Sequence, residues 1–169
     1  MAENKINPMQ KIKIEKVVLS VGGTAEYLEK GFKLLEMISG QKPAKMRSRK
    51  RIPSLGVRPK LEVGAVVTLR KDVEKFLKRM LAAVENKLKK KQVSENTFSF
   101  GIKEYIEIPD MEYQRDLGIL GFDVTVVFLR AGKRTRLKKW KKGKMPQKQK
   151  VTKQEIIKFM EENFGTKFE

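Results

Sequence analysis

The chain has 169 residues, of which 40% are hydrophobic and 35% charged, with 39 Lys or Arg against 20 Asp or Glu and a formal net charge of +19. That length and apolar fraction suit one domain with a real core and exclude a disordered chain. Cys and His are absent, which excludes disulfides, thiolate or imidazole metal sites and imidazole acid–base chemistry; no apolar run approaches a membrane span and residues 1–13 lack a signal-peptide core, so the chain reads as cytoplasmic.

Residues 11–21 (KIKIEKVVLSV) alternate and then run β-branched, which predicts a strand with one exposed face. Gly22 and Gly23 end it. Thr24 is placed to cap a helix reaching Ser39, with Leu28, Phe32, Leu35 and Ile38 on one face and Gly40 as a left-handed C-cap. Residues 44–60 have no hydrophobic period and are punctuated by Pro53, Gly56 and Pro59, which predicts a long basic loop between two strands. Val63–Leu69 reads as a strand. Asp72 is placed to cap the next helix, whose apolar face runs Val73, Phe76, Leu77, Met80, Leu81, Val84 and Leu88 and which closes in the lysines 87–91.

Residues 92–97 read as a flexible surface loop, Phe98–Ile102 as a strand extending to Ile106 and Ile108, and 109–118 as a loop. Leu120–Leu129 is a strand and 131–150 a basic linker. Thr152 with Glu155 forms a capping box that opens a helix over 152–165, with Ile156, Phe159 and Met160 facing the core. The order predicts a single α+β domain over 1–169, an antiparallel sheet with helices packed on one face.

The excess charge is confined to two segments. Residues 41–60 hold Lys42, Lys45, Arg47, Arg49, Lys50, Arg51, Arg58 and Lys60 and no acid; residues 130–150 are equally acid-free and richer in bases, while the rest of the chain carries as many acids as bases. Such runs repel themselves, so a polyanionic partner is the reason for them. The first segment suits phosphate contact by an extended finger rather than base readout by a helix. The second contains the sole Trp, Trp140, in KKWKKGK, where an indole either stacks on a base or pins the linker to the body. Neither segment pairs charge with an apolar helical face, which argues against a membrane.

Weaker signals read as structure. Gly22-Gly23 lies where backbone amides cradle a phosphate, but without a full fingerprint it reads as a tight turn. Ser39 and Lys42 match S-x-x-K without the partner motifs. Asp110, Glu112 and Asp116 read as a solvated acidic loop rather than a magnesium site. No nucleophile stands beside a base, so no enzyme, cofactor or small-molecule substrate is expected. Two other classes stay open on composition alone: an RNA-modifying enzyme or its subunit, and a DNA-architectural protein.

Seven short motifs narrow the choice. Asn7-Pro8-Met9 precedes Ile14-Glu15-Lys16-Val17-Val18-Leu19, followed by Ser39-Gly40-Gln41-Lys42-Pro43, Gly56-Val57-Arg58, Val67-Thr68-Leu69-Arg70, Phe98-Ser99-Phe100-Gly101-Ile102-Lys103-Glu104 and Gly121-Phe122-Asp123-Val124. In this order the chain, over about residues 4–165, resembles ribosomal protein five of the large subunit, the family that binds 5S rRNA; the basic linker and capped last helix resemble its archaeal and eukaryotic branch. The resemblance implies an α+β fold without catalysis, on the ribosome, attaching 5S rRNA to large-subunit rRNA in the central protuberance. It implies 5S rRNA contacts at Ser20, Gln41 and Thr68. It implies contact with the P-site tRNA by the loop 47–58, through Arg47, Arg49, Lys50, Arg51 and Arg58. It also implies a contribution to the intersubunit bridge with a small-subunit protein. Ser20 stands where the family usually has Asn, and the Gly22-Gly23-Thr24 turn is compressed. Further RNA contact is expected from Arg134, Arg136, Lys138, Lys139, Trp140, Lys141 and Lys142.

Overall fold

The computed structural model describes residues 7–169, so residues 1–6 of the expected domain lie outside the described residues. β1 (Lys13–Gly22) leads through the Gly22-Gly23 turn into α1 (Ala25–Ser39), then β2 (Ala44–Arg47), β3 (Glu62–Leu69) and α2 (Val73–Ala83). The short strands β4 (Lys87–Leu88) and β5 (Val93–Ser94) follow, then β6 (Thr97–Ile102), β7 (Phe122–Leu129), the single-turn α3 (Arg134–Leu137), α4 (Lys153–Phe164) and β8 (Lys167–Phe168). The sheet order is β2-β3-β1-β7-β6-β5, every neighbouring pair antiparallel, with a separate parallel β4-β8 pair. This is the α+β architecture expected, with helices on one face.

That face is made by strand alternation. Val17, Leu19 and Val21 of β1 point into the core beside Ala65, Val67 and Leu69 of β3, Val124, Val126 and Phe128 of β7, and Phe98, Phe100 and Ile102 of β6. Leu28, Leu34, Leu35 and Ile38 of α1, Leu77, Met80 and Leu81 of α2, and Ile156 and Met160 of α4 cover them in one continuous cluster. Each Val, Leu, Ile, Phe or Met side chain among them contributes on the order of 1.5–3 kcal/mol by burial. α1 lies so close to β1 that a Cβ on Gly31 would meet Val21 Cγ1 at 2.6 Å. Gly40 takes the left-handed cap (φ 64°) and returns its N–H to Glu36 O at 2.8 Å.

Several expectations are corrected. The segment from residue 44 is not all loop: Ala44–Arg47 is an edge strand, invisible to periodicity because both of its faces are exposed. α2 stops at Ala83, because Glu85 and Asn86 turn left-handed (φ 52° and 57°). Leu88 keeps the helical spacing yet is buried through β4 pairing with β8. Residues 92–97 form a hairpin turn rather than a flexible loop, with Val93 opposite Phe98, Asn96 at φ 59° and Val93 fully buried. Residues 105–107 are a 3-10 turn, not an extension of β6. Thr24 and Asp72 occupy N-cap positions, but their side chains make no cap hydrogen bond.

The last helix starts as expected: Thr152 N donates to Glu155 Oε2 at 3.0 Å, and the Phe159 ring packs edge-on to Phe128 at 5.7 Å. Arg130 reaches Glu155 Oε1 at 2.5 Å. Partial burial pushes the Glu155 carboxyl up, but the Thr152 hydrogen bonds and the Arg130 guanidinium outweigh it and hold it below the ordinary range. A carboxyl depressed in the folded state stabilises above its unfolded pKa and loses that contribution as the pH falls through its folded value. Glu155→Ala should therefore cost about 1 kcal/mol at pH 7, measured by denaturant titration. The difference from the parent chain should close as the pH drops below the ordinary carboxylate range; a gap independent of pH would refute the assignment.

Candidate nucleic-acid interface

Among the described residues, α1, α2 and α4 all pack on the core face and leave the second face of the sheet largely open. Register places its residues in rows. Ala44, Val66, Ser20, Asp123 and Gly101 form one, and Thr68, Val18, Thr125 and Ser99 the next, followed by Lys16, Val127 and Thr97. Apart from Lys16, these side chains are small or β-branched; Met46, two residues on from Ala44 and opposite Gly64, stands on the same face. Val18, Ser20, Val66, Thr68, Thr125 and Val127 are half-buried. Ser99 Oγ and Thr125 Oγ1 share a hydrogen bond at 3.1 Å. The result is a flat platform bearing hydroxyl groups, with one carboxylate, Asp123, and one ammonium, Lys16.

Ser20 and Thr68 both lie on this platform, on neighbouring strands and diagonal to one another, since Ser20 pairs with Val66 and Thr68 with Val18. Gln41 does not. It is exposed in the connection from α1 to β2, where its N–H donates to Ser39 Oγ at 3.2 Å. Because Ala44 pairs with Val66, that connection borders the Thr68 end of β3, at the platform's edge. Sequence reasoning missed Asp123, Thr125 and Ser99. Their signal was the alternation F-D-V-T-V in β7, which becomes informative only once the register shows that no helix covers it.

The first basic segment is a hairpin with a folded tip. Ser48 N donates to Leu61 O and Lys60 N to Ser48 O, both at 2.8 Å. Ile52 and Val57 exchange both backbone hydrogen bonds at 2.9 and 3.0 Å, and Gly56 (φ 64°) closes the turn Pro53–Leu55. Val57 is buried, and Ile52, Leu55 and Val57 share a cleft with Gly22, Gly23 and Thr24. The compressed glycine turn thus supports the finger. Of the five bases expected to reach tRNA, Arg47 sits at the base of the hairpin, 3.5 Å from Glu62, which Lys45 also meets at 3.2 Å. The Lys45 hydrogen bond first, and the two cations' charges, hold Glu62 below its ordinary pKa. Arg49, Lys50, Arg51 and Arg58 are exposed and make no ion pair among the described residues.

The second segment divides in the same way. Its inner bases fasten it to the body: Arg130 to Glu155, Lys133 to Glu15, and Lys150 to Glu95 at 3.2 Å. Arg134, Arg136, Lys138, Lys139, Lys141 and Lys142 are exposed and make no ion pair among the described residues. α3 carries Arg134 and Arg136, and Gly143 N returns to Thr135 O at 3.1 Å, so the segment is a closed excursion rather than a loose linker. Trp140 is 81% exposed, so it does not pin the segment to the body. The acidic loop Asp110, Glu112 and Asp116 is exposed, and no group of three or more acidic residues fit to hold a metal occurs among the described residues.

A flat hydroxyl-bearing platform flanked by two unneutralised basic projections, one with an exposed indole, defines a polyanion-binding surface of the nucleic-acid type. A family model described as Ribosomal protein L5 matches residues 7–58, and a second model, for the C-terminus of the same ribosomal family, matches 62–159. The Large ribosomal subunit protein uL5 of Nanoarchaeum equitans is 40% identical over 163 residues, covering 94% of this chain and 96% of its own. That of Methanosphaera stadtmanae is 38% identical over 168 residues, covering 97% and 100%. That of Pyrobaculum aerophilum is 40% identical over 165, covering 95% and 92%. The chain belongs to the ribosomal protein L5 family, on its archaeal side. It is a ribosomal, cytoplasmic protein, structural rather than enzymatic.

The folded finger makes a checkable statement. The amides of Ser48, Ile52, Val57 and Lys60 have backbone partners, whereas none occurs for Arg49, Lys50 and Arg51 among the described residues. Hydrogen exchange on the free chain should be slower at the first group by at least about tenfold. Uniformly fast exchange would mean that the finger is unformed in the free chain.

Proposed function

We propose that this chain binds 5S rRNA on the open face of its sheet and fixes it to the large subunit's rRNA in the central protuberance. The two basic projections serve other partners: the finger, through Arg49, Lys50, Arg51 and Arg58, reaches the P-site tRNA, and the chain contributes to the bridge with a small-subunit protein. The observation that supports this reading is the platform itself. Ser20 and Thr68 stand together on the open part of the sheet face, among short side chains that let a nucleic-acid backbone approach, and the relatives are proteins of the large ribosomal subunit. Short hydroxyls position phosphate and ribose groups, including the 2′-OH that distinguishes RNA from DNA. Arg47 has a smaller share in this than the other finger bases, because Glu62 already neutralises part of its charge.

Filter binding of 5S rRNA tests the reading. If about six phosphates are neutralised, a fourfold rise in salt should weaken binding on the order of a thousandfold. Thr68→Ala and Gln41→Ala should weaken 5S rRNA binding, whereas Arg49, Lys50 and Arg51 changed together to Ala should spare it and lower P-site tRNA occupancy on assembled ribosomes. Loss of 5S rRNA binding in that triple variant would overturn the division of labour, and duplex DNA bound as tightly as 5S rRNA would overturn the choice of partner.

The sole Trp supplies a further readout. Trp140 is solvated in the free chain, so RNA that stacks on it should quench its fluorescence, and Trp140→Ala should cost about 1–3 kcal/mol of binding to that RNA. Unchanged emission on saturation with both 5S and large-subunit rRNA fragments would remove Trp140 from the interface.

A further inference from the structure

Where β7 ends, the open platform runs beneath the second basic segment. The segment overhangs it and closes a cleft of about 470 Å³, within the range of about 300–1,000 Å³ that holds small ligands. Half-buried Val127, Leu129 and Met145 give it apolar lining. Arg136, Lys142 and Lys144 also line it, and none has an ion-pair partner among the described residues. Lys133 and Lys150, which line it too, are already held by Glu15 and Glu95, and no carboxylate lines the cleft. Asn96 completes the lining. Its Oδ1 accepts from Val151 N at 2.8 Å, which leaves the amide NH2 as a donor without a partner among the described residues.

Cations beside an apolar lining narrow the ligand. Inorganic phosphate would meet the cations and leave the aliphatic surface wet, and an uncharged ring would do the reverse. A nucleoside phosphate meets both, and a base carbonyl or ring nitrogen accepts from an amide NH2. We propose that the cleft holds one unstacked nucleotide, its base against Val127, Leu129 and Met145 and its phosphate among Arg136, Lys142 and Lys144. The shared chemistry is a nucleoside monophosphate, either extruded from RNA lying on the platform or free in solution. Val127 belongs both to the platform and to the cleft, so RNA crossing the platform delivers nucleotides to its mouth. Extrusion costs stacking energy, which the apolar surface and the three cations offset.

The inference rests on the RNA reading of the second basic segment, and the test separates the two. The full chain, methyl-labelled, is titrated with AMP, with inorganic phosphate and with 5S and large-subunit rRNA fragments. AMP should saturably shift the methyl resonances of Val127, Leu129 and Met145, and inorganic phosphate should not. An rRNA fragment should shift the same methyls and displace AMP; AMP binding that no fragment displaces would sustain the site with the free nucleotide as its ligand. Lys142→Ala with Lys144→Ala should weaken AMP by at least about tenfold, since each removes a charge-assisted contact to the phosphate, while the α4 resonances stay in place. If rRNA moves the backbone amides of residues 134–144 but neither rRNA nor AMP moves these methyls, the cleft is not a nucleotide site and the RNA reading survives. If rRNA moves neither set and AMP moves no methyl, both fall. Unchanged AMP affinity in the double variant would also overturn the site.

Discussion

The antiparallel pairing of β1 with β3 on one side and β7 on the other is the constraint on which the rest of the surface depends. It fixes the phase of alternation across the three central strands. Val17, Leu19 and Val21 then face the helices, and Val18, Ser20 and Gly22 face outward. A one-residue slip would exchange the two sets, burying Ser20 and exposing Leu19. The bulge between Ile14 and Lys16 absorbs an irregularity at the far end of β1 and leaves the register through Ser20 intact. The platform is therefore specified by the core. The same residues that hold α1 and α2 against one face decide which hydroxyls appear on the other.

Charge is sorted on the same principle. In both basic segments several bases at the roots are neutralised by the body, and those of the outer stretches are not. Lys45 and Arg47 share Glu62; Arg130, Lys133 and Lys150 meet Glu155, Glu15 and Glu95. Surface ion pairs of this kind contribute little each, on the order of 0–1 kcal/mol. Their effect is geometric: they hold the roots of two segments whose remaining charges repel one another. The exposed bases are left with uncompensated fields, which a phosphate chain relieves and which steer it from a distance. Asp123 is the exception, a carboxylate on the platform beside Ser20 and Gly101. A carboxylate repels phosphate but accepts from amino groups and hydroxyls, so it makes this part of the face unlike the rest.

The parts legible in the sequence were those with a local period or a local charge. α1, α4 and the strands β1, β3, β6 and β7 announce themselves by spacing, and the two acid-free segments by composition. What was not legible depends on partners distant in the chain. β2 is a strand because β3 lies beside it, not because of its own residues. The end of α2 hides because Val84 and Leu88 keep a helical spacing across the left-handed turn at Glu85 and Asn86. Glu15 and Lys133 are far apart in sequence and meet only in the fold. Of the candidate site, Ser20 and Thr68 are brought onto one surface, Gln41 onto its edge, and Arg47 into an ion pair. The bases from Arg134 to Lys142 are divided between an outward excursion and a cleft that no local pattern foretells.

Rigid and adaptable parts therefore have separate tasks. Apart from Lys16 and Met46, the platform's side chains have few rotatable bonds, so ordering them against a ligand costs little side-chain entropy, and the shape of the face selects a surface that matches it. The lysines and arginines of the projections lose more freedom per contact, yet each brings a full charge and reaches phosphates whose positions need not be exact. A flat sheet without projections would have shape and little affinity. Basic projections without the sheet would hold any polyanion. Joined through β3 to the finger and through β7 to the second segment, the platform sets the orientation in which both basic segments project from the body.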